Sequence, residues 1–168
     1  MAGSATNSAI EVAYWFISRA EDEGLFLEDE KLHHLLFLAQ VHFALANNME
    51  LLMPSLFVCG ENGFSEPNLA VMFAQGRPYM PPKKLSDKVS DFLSKVWKRY
   101  APLSAKELNL IVDCGGRVCN ISISHRVYGR VSAEMDIRSR QDVTEFIAAL
   151  NDSQSTVLST ATSGYHYH

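Results

Sequence analysis

The apolar positions of this chain recur at helical spacing over several stretches, and the period changes only in the C-terminal third. In the first stretch Ile10, Ala13, Tyr14, Ile17 and Ala20 fall on one stripe, the spacing of an amphipathic helix. Ser8 and Glu11 stand three residues apart at its start as a capping box, and Gly24 supplies a stop. The second stretch, Lys31 to Ala46, is the most apolar. Leu32, Leu35, Leu36, Ala39, Phe43 and Ala46 make one face, and Phe37, Leu38, Val41 and Leu45 widen it over most of the circumference. A helix apolar nearly all round belongs in the middle of a core. Asp29 and Glu30 suit its positive end, and Asn47-Asn48 its stop.

Residues 54–68, with Pro54, Gly60, Gly63 and Pro67, read as a loop, followed by a short helix from Leu69 to Gln75 with Ser65 or Glu66 near its start. Pro78, Pro81 and Pro82 break the chain. Leu85, Val89, Phe92, Leu93, Val96, Trp97 and Tyr100 then mark another helix, ended by Pro102. Ser104 with Glu107 forms a second capping box, and Leu103 with Leu108 a hydrophobic staple, so a helix runs to about Val112. From Val118 the period becomes two. Cys119, Ile121 and Ile123 alternate with polar residues, as do Val131, Ala133, Met135 and Ile137, with Gly129 between them, which predicts a hairpin. A last helix starts near Ser139 and turns Val143, Phe146, Ile147 and Leu150 inward. The expected fold class is mainly α: a single helical bundle around a central apolar helix, with a small β-hairpin in the C-terminal third. Residues 1–150 are expected to form the domain and 151–168, rich in Ser and Thr, a flexible tail.

Composition narrows the function classes. Of 168 residues 47% are hydrophobic and 20% charged, enough for a real core, and the net charge is −4. That sign gives no long-range attraction to nucleic acid or anionic membrane. The start of the chain lacks a basic stretch followed by an apolar one, and no apolar run reaches bilayer length. Three cysteines, Cys59, Cys114 and Cys119, are too few and too odd for a disulfide framework, so the expected location is cytoplasmic.

Candidate chemistry is sparse. Neither a phosphate-binding loop, a dinucleotide fingerprint, a nucleophile elbow nor a zinc-protease motif occurs. Cys114 and Cys119 with nearby His125 are too loosely spaced for a zinc site, and His33, His34 and His42 share a helix without converging. Cys59 lacks a visible base. No catalytic, cofactor or metal residue is assigned, and no enzyme activity is expected. Arg117, Arg126, Arg130, Arg138 and Arg140 cluster in the C-terminal third, either as a patch for nucleic acid or as the solvated face of the hairpin; Glu134, Asp136 and Asp142 dilute them.

The helix Lys31-Leu32-His33-His34-Leu35-Leu36-Phe37-Leu38-Ala39-Gln40 resembles the corresponding helix of the Panacea domain, the SocA-like or phage-associated GepA-like family. Pro54-Ser55-Leu56-Phe57 and the stretch from Val96 to Leu108 are similar to further segments of that family, in order, over residues 9–112. The loop Cys59 to Pro67 departs from the family's Gly-Pro signature, and Val112-Asp113 replaces its terminal histidine pair. The resemblance implies a bacterial helical domain of antitoxin type without catalysis, whose partner is another protein such as a toxin; nucleic acid is not expected as a partner. The expected role is therefore protein–protein interaction as an antitoxin or adaptor. The alternatives are a nucleic-acid-binding regulator using the arginines of residues 117–140, or a hydrolase. The partner-binding residues are expected in the altered loop: Phe57, Glu61, Asn62, Phe64 and Glu66, with the aromatic rings as anchors. The plainer reading of the two rings is core, with Phe57 buried and Phe64 plugging the end of the bundle.

Overall fold

In the computed structural model, residues 3–60, 63–81, 83–113, 123–127, 130–134, 144–145 and 147–151 are described. They form a mainly α fold whose helices are α1 (Ala9–Asp22), α2 (Asp29–Ala46), α3 (Pro67–Phe73), α4 (Asp87–Tyr100) and α5 (Ala105–Asp113). Its strands are β1 (Val58–Gly60), β2 (Gly63–Ser65), β3 (Ile123–Val127) and β4 (Arg130–Glu134).

The helix ends follow the local chemistry of the sequence. Ser8 Oγ accepts from the Glu11 N–H at 3.3 Å, and the Glu11 carboxylate accepts from the Asn7 N–H at 3.1 Å, one residue earlier than in a standard capping box. α1 ends with Gly24 at φ +70°, which lets the Leu25 N–H reach back to the Ala20 carbonyl at 2.8 Å. At α5 both halves of the predicted box form, Glu107 N–H to Ser104 Oγ at 3.1 Å and Ser104 N–H to Glu107 Oε1 at 3.3 Å. Ser86 caps α4 through the Val89 N–H.

α2 is the axis of the core, as its apolar circumference predicts. Leu32 and every residue from His34 to Val41 are buried, and α1, α4, α5 and β2 pack around them. Phe43 and Trp97 are buried too, but Phe92 is only half-buried, its ring edge-on to Phe43 with centroids 5.1 Å apart. Gln40, a buried polar residue, has both amide heteroatoms hydrogen-bonded: it accepts from the Met53 N–H and donates to the Met53 carbonyl, each at 2.9 Å. This clamp holds the chain leaving α2 against the helix, where Ala5 and Thr6 also pair with Leu51 and Leu52 through backbone bonds of 2.9 Å.

The stretch read as a loop over residues 54–68 is instead a short hairpin. β1 and β2 pair antiparallel, Cys59 opposite Phe64, and the sheet continues through β1 and β4, Cys59 opposite Ala133, giving the order β2-β1-β4-β3. Three-residue strands with a glycine in each carry no alternation, and their hydrogen bonds come partly from a strand far along the chain, so period gives no sign of them. A C-terminal hairpin is present as β3 and β4, from Ile123 opposite Glu134 to Val127 opposite Arg130. Of the alternation expected for its first strand only Ile123 lies in β3, while Cys119, Ile121 and Gly129 lie outside the described residues. Residues 147–151 are helical, with Ala149 and Leu150 buried in the core, within the span expected for the last helix.

Candidate functional site

Of the expected partner-binding residues, Phe57, Phe64 and Glu66 are buried, at 3%, 1% and 0% exposure, while Glu61 and Asn62 lie outside the described residues. Phe64 is stacked on Phe37, with centroids 3.9 Å apart and planes 7° from parallel, and Phe57 meets the same ring edge-on. Both rings are thus turned into the chain's own core and are not exposed to a partner in this structure.

Glu66 has a structural task that its burial explains. It caps α3: Oε2 accepts from the Leu69 N–H at 2.6 Å, and Oε1 accepts from Ser55 Oγ at 2.6 Å and Asn68 Nδ2 at 3.1 Å. Its own N–H donates to His33 Nδ1 at 3.0 Å, which places the ring proton of neutral His33 on Nε2. Burial holds the His33 pKa below the usual value, with the Glu66 and Asp29 charges working against it. The network ties β2 and α3 to the middle of the core. The Ser55 hydroxyl does lie beside the Glu66 carboxylate, but that carboxylate is committed to the cap of α3 through the Leu69 N–H and Asn68 Nδ2.

Of the other two α2 histidines His34 is buried and His42 half-buried, and both are neutral. His42 shares a 2.7 Å hydrogen bond with the Tyr100 hydroxyl; burial, then the Arg99 charge, pushes its pKa down to about 4. His34 has neither ring nitrogen hydrogen-bonded, with Glu30 Oε1 3.8 Å from Nε2; burial, then His33, takes it to about 4 as well. Among the described residues no group of three His, Cys, Asp or Glu side chains is placed to hold a metal ion. Cys59 lies in β1, and Cys114 and Cys119 lie outside the described residues.

The arginine cluster is divided. Arg126 and Arg130 stand on β3 and β4 near the tip of the hairpin, opposite Val131 and Val127, whereas Arg117, Arg138 and Arg140 lie outside the described residues. The hairpin is attached to the helical body through β1, and α4 and α5, which precede it in the chain, are firmly seated. Trp97 Nε1 donates to Glu23 Oε2 at 2.6 Å, joining α4 to the end of α1. Leu108, Ile111 and Val112 of α5 are fully buried, and Arg99 donates to Asn151 Oδ1 at 2.6 Å. Charge separates along the same division. Residues 95–168 carry nine Lys or Arg against seven Asp or Glu, while residues 1–94 carry six against twelve.

Residues 95–168 match the 3H domain family. The chain is 40% identical over 63 residues to the transcription repressor NadR of Bacillus subtilis (strain 168), covering 38% of this chain and 35% of that protein. It is 31% identical over 71 residues to the probable transcription repressor NiaR of Thermotoga maritima, covering 42% of this chain and 41% of that protein. The chain thus spans well under half the length of these relatives. No solved structure matches it.

These matches correct the Panacea resemblance and the antitoxin or adaptor role and toxin partner it implied, and they also correct the separate expectation against nucleic acid. The physical reason lies in what the resembling residues do. Leu32, Leu35, Leu36, Phe37, Leu38, Ala39 and Gln40 are all interior, and an interior helix is selected for packing, which unrelated bundles share. The expectation against nucleic acid rested on the acids among the arginines and on net charge, an average over two segments of opposite sign. Counting charge by segment would have found the difference. Residues 152–168 of the expected Ser- and Thr-rich tail lie outside the described residues and within the span of the 3H match. Among the described residues no helix is long and apolar enough to cross a membrane.

Proposed function

We propose that this chain is a non-catalytic transcription regulator that contacts DNA through the arginines of residues 117–140. The observation carrying this reading is its 40% identity over 63 residues to a transcription repressor, alongside the 3H match over residues 95–168. The excess of basic residues in that segment, against the acidic helical body, supports the same reading. A two-stranded ribbon such as β3–β4 is among the elements that a B-DNA major groove admits, and Arg126 and Arg130 sit near its tip. A regulator of this kind acts by occupying its site, and its work is in the cytoplasm beside the DNA.

The test is fluorescence anisotropy with a labelled duplex taken from upstream of the chain's own gene, at physiological and raised salt. Wild type is expected to bind, with log affinity falling linearly against log salt. The paired change Arg126→Ala with Arg130→Ala is expected to weaken binding and reduce that slope by about 2, one for each phosphate no longer neutralised. Absence of wild-type binding at physiological salt overturns the DNA reading, and an unchanged slope in the double variant removes these arginines from the interface.

A further inference from the structure

The cleft between the outer face of α1 and the chain after α3 goes beyond the regulator reading, because it is built entirely from residues outside the 3H match. Tyr14, Ile17, Ser18 and Glu21 recur at helical spacing along one wall, and Arg77 to Met80 form the other, enclosing about 330 Å³. The second wall is fixed in place. Arg77 donates to the Leu27 carbonyl and to Asp29 Oδ1, each at 2.6 Å, the Tyr14 hydroxyl donates to the Pro78 carbonyl, and Lys83 pairs with Glu11. The cleft is therefore preformed, and little ordering is needed on binding.

Its chemistry is asymmetric. The Arg77 charge is matched by Asp29, and the guanidinium lies over the Phe26 and Phe73 rings at 5.3 Å from each. Among the described residues nothing pairs with the Glu21 carboxylate, which leaves it as the uncompensated charge of the cleft. Around it the surface is unusually apolar: Tyr79 is 86% exposed and Phe26 82%. Tyr79 lines the cleft itself and Phe26 adjoins it through Arg77, and exposed aromatic rings beside an arginine are the composition of protein interfaces. The helical body carries six Lys or Arg against twelve Asp or Glu, so its field also favours a cationic partner.

We propose that this cleft docks a polypeptide segment of a partner protein that presents a lysine or arginine between aliphatic side chains. The cation meets Glu21 and the faces of Tyr14 and Tyr79, and the aliphatic flanks cover Pro78 and Met80.

Three short capped peptides with identical aliphatic flanks and a central arginine, glutamine or glutamate serve as probes, titrated into isotope-labelled full chain and followed by backbone amide shifts. The arginine peptide is expected to bind best and to move amides of α1 and of residues 77–80. Glu21→Gln is expected to weaken it about two- to fivefold, the range of a partly exposed ion pair, with the unfolding midpoint unchanged. Tyr79→Ala, at an exposed position, is expected to act in the same direction. The proposal fails if no peptide binds, if the three bind alike, if the shifts lie elsewhere, or if Glu21→Gln changes nothing. Equal binding of free arginine amide would replace the polypeptide with a small organic cation. Concentration-dependent shifts of these amides without peptide would replace it with a second copy of the chain.

Discussion

The helical body of residues 1–94 and the segment of residues 95–168 differ in what their sequences record. The body contains α1, α2 and α3, its patterns are strong, and its central helix is interior nearly all round. Those patterns describe packing, and they led toward a family that the comparisons do not support. The segment has weaker patterns and shorter described elements, yet it carries the family match and the excess of basic residues. Strong periodicity is thus evidence of a core, and it says little about what a protein does. The regions are nonetheless packed together, by Trp97 on Glu23, by His42 on Tyr100 and by β1 on β4. The comparison can be tested by asking whether perturbing one region is felt in the other.

The largest expected effect is Leu36→Ala. The side chain is fully buried on the central helix, and its removal should reduce stability by about 2–5 kcal/mol. With Trp15→Phe as background, Trp97 in the basic segment becomes the reporter, since the chain has two tryptophans. Its fluorescence and far-UV circular dichroism should lose structure in one coincident urea transition, shifted down together. Two separated transitions would mean that the regions unfold independently.

Acid should come next. His34 and His42 have folded pKa values near 4, below the ordinary value of 6.5, so between those values the unfolded chain binds more protons than the folded one. Their contribution is complete above pH 6.5 and is lost as pH falls toward 4, on the order of 3 kcal/mol for each ring. Urea midpoints from pH 7.5 to 4.5 check this. His34→Leu should flatten roughly half of the decline, and a flat wild-type profile would show that the rings are not held neutral by the fold.

Glu23→Ala removes the acceptor of the Trp97 indole N–H, a bond between the two regions. The expected destabilisation is about 1–2 kcal/mol, since the bond is charge-assisted and its carboxylate partly exposed. A shift of Trp97 emission should accompany it, and unchanged emission would remove this bond from the junction. The smallest expected effect has the opposite sign. His34→Leu at pH 7.5 should raise stability by up to about 1 kcal/mol, because it replaces a buried ring with two unbonded nitrogens by an apolar side chain. A decrease would mean that the ring nitrogens are satisfied in solution.

Most of the architecture was legible in the sequence because helices are local. The i, i+3, i+4 spacing of Ile10 to Ala20, the apolar breadth of Leu32 to Ala46 and the capping box of Ser104 with Glu107 each specify an element from neighbours within a turn or two. The alternation near Ile123 and Val131 placed the C-terminal hairpin for the same reason. What tertiary structure alone decided is everything that joins distant residues. A glycine-containing stretch became β1 and β2 because β4 pairs with it, and Phe64 turned inward because the face of Phe37 was there to stack on. Gln40 is interior because the Met53 backbone satisfies its amide, and Glu66, expected at a partner surface, caps α3 from the interior because the Ser55 hydroxyl meets it there. A helix writes its period into the chain that forms it, whereas a strand pairing, a buried hydrogen bond or a cleft is written half in each of two segments. Neither half is recognisable until the fold brings both together.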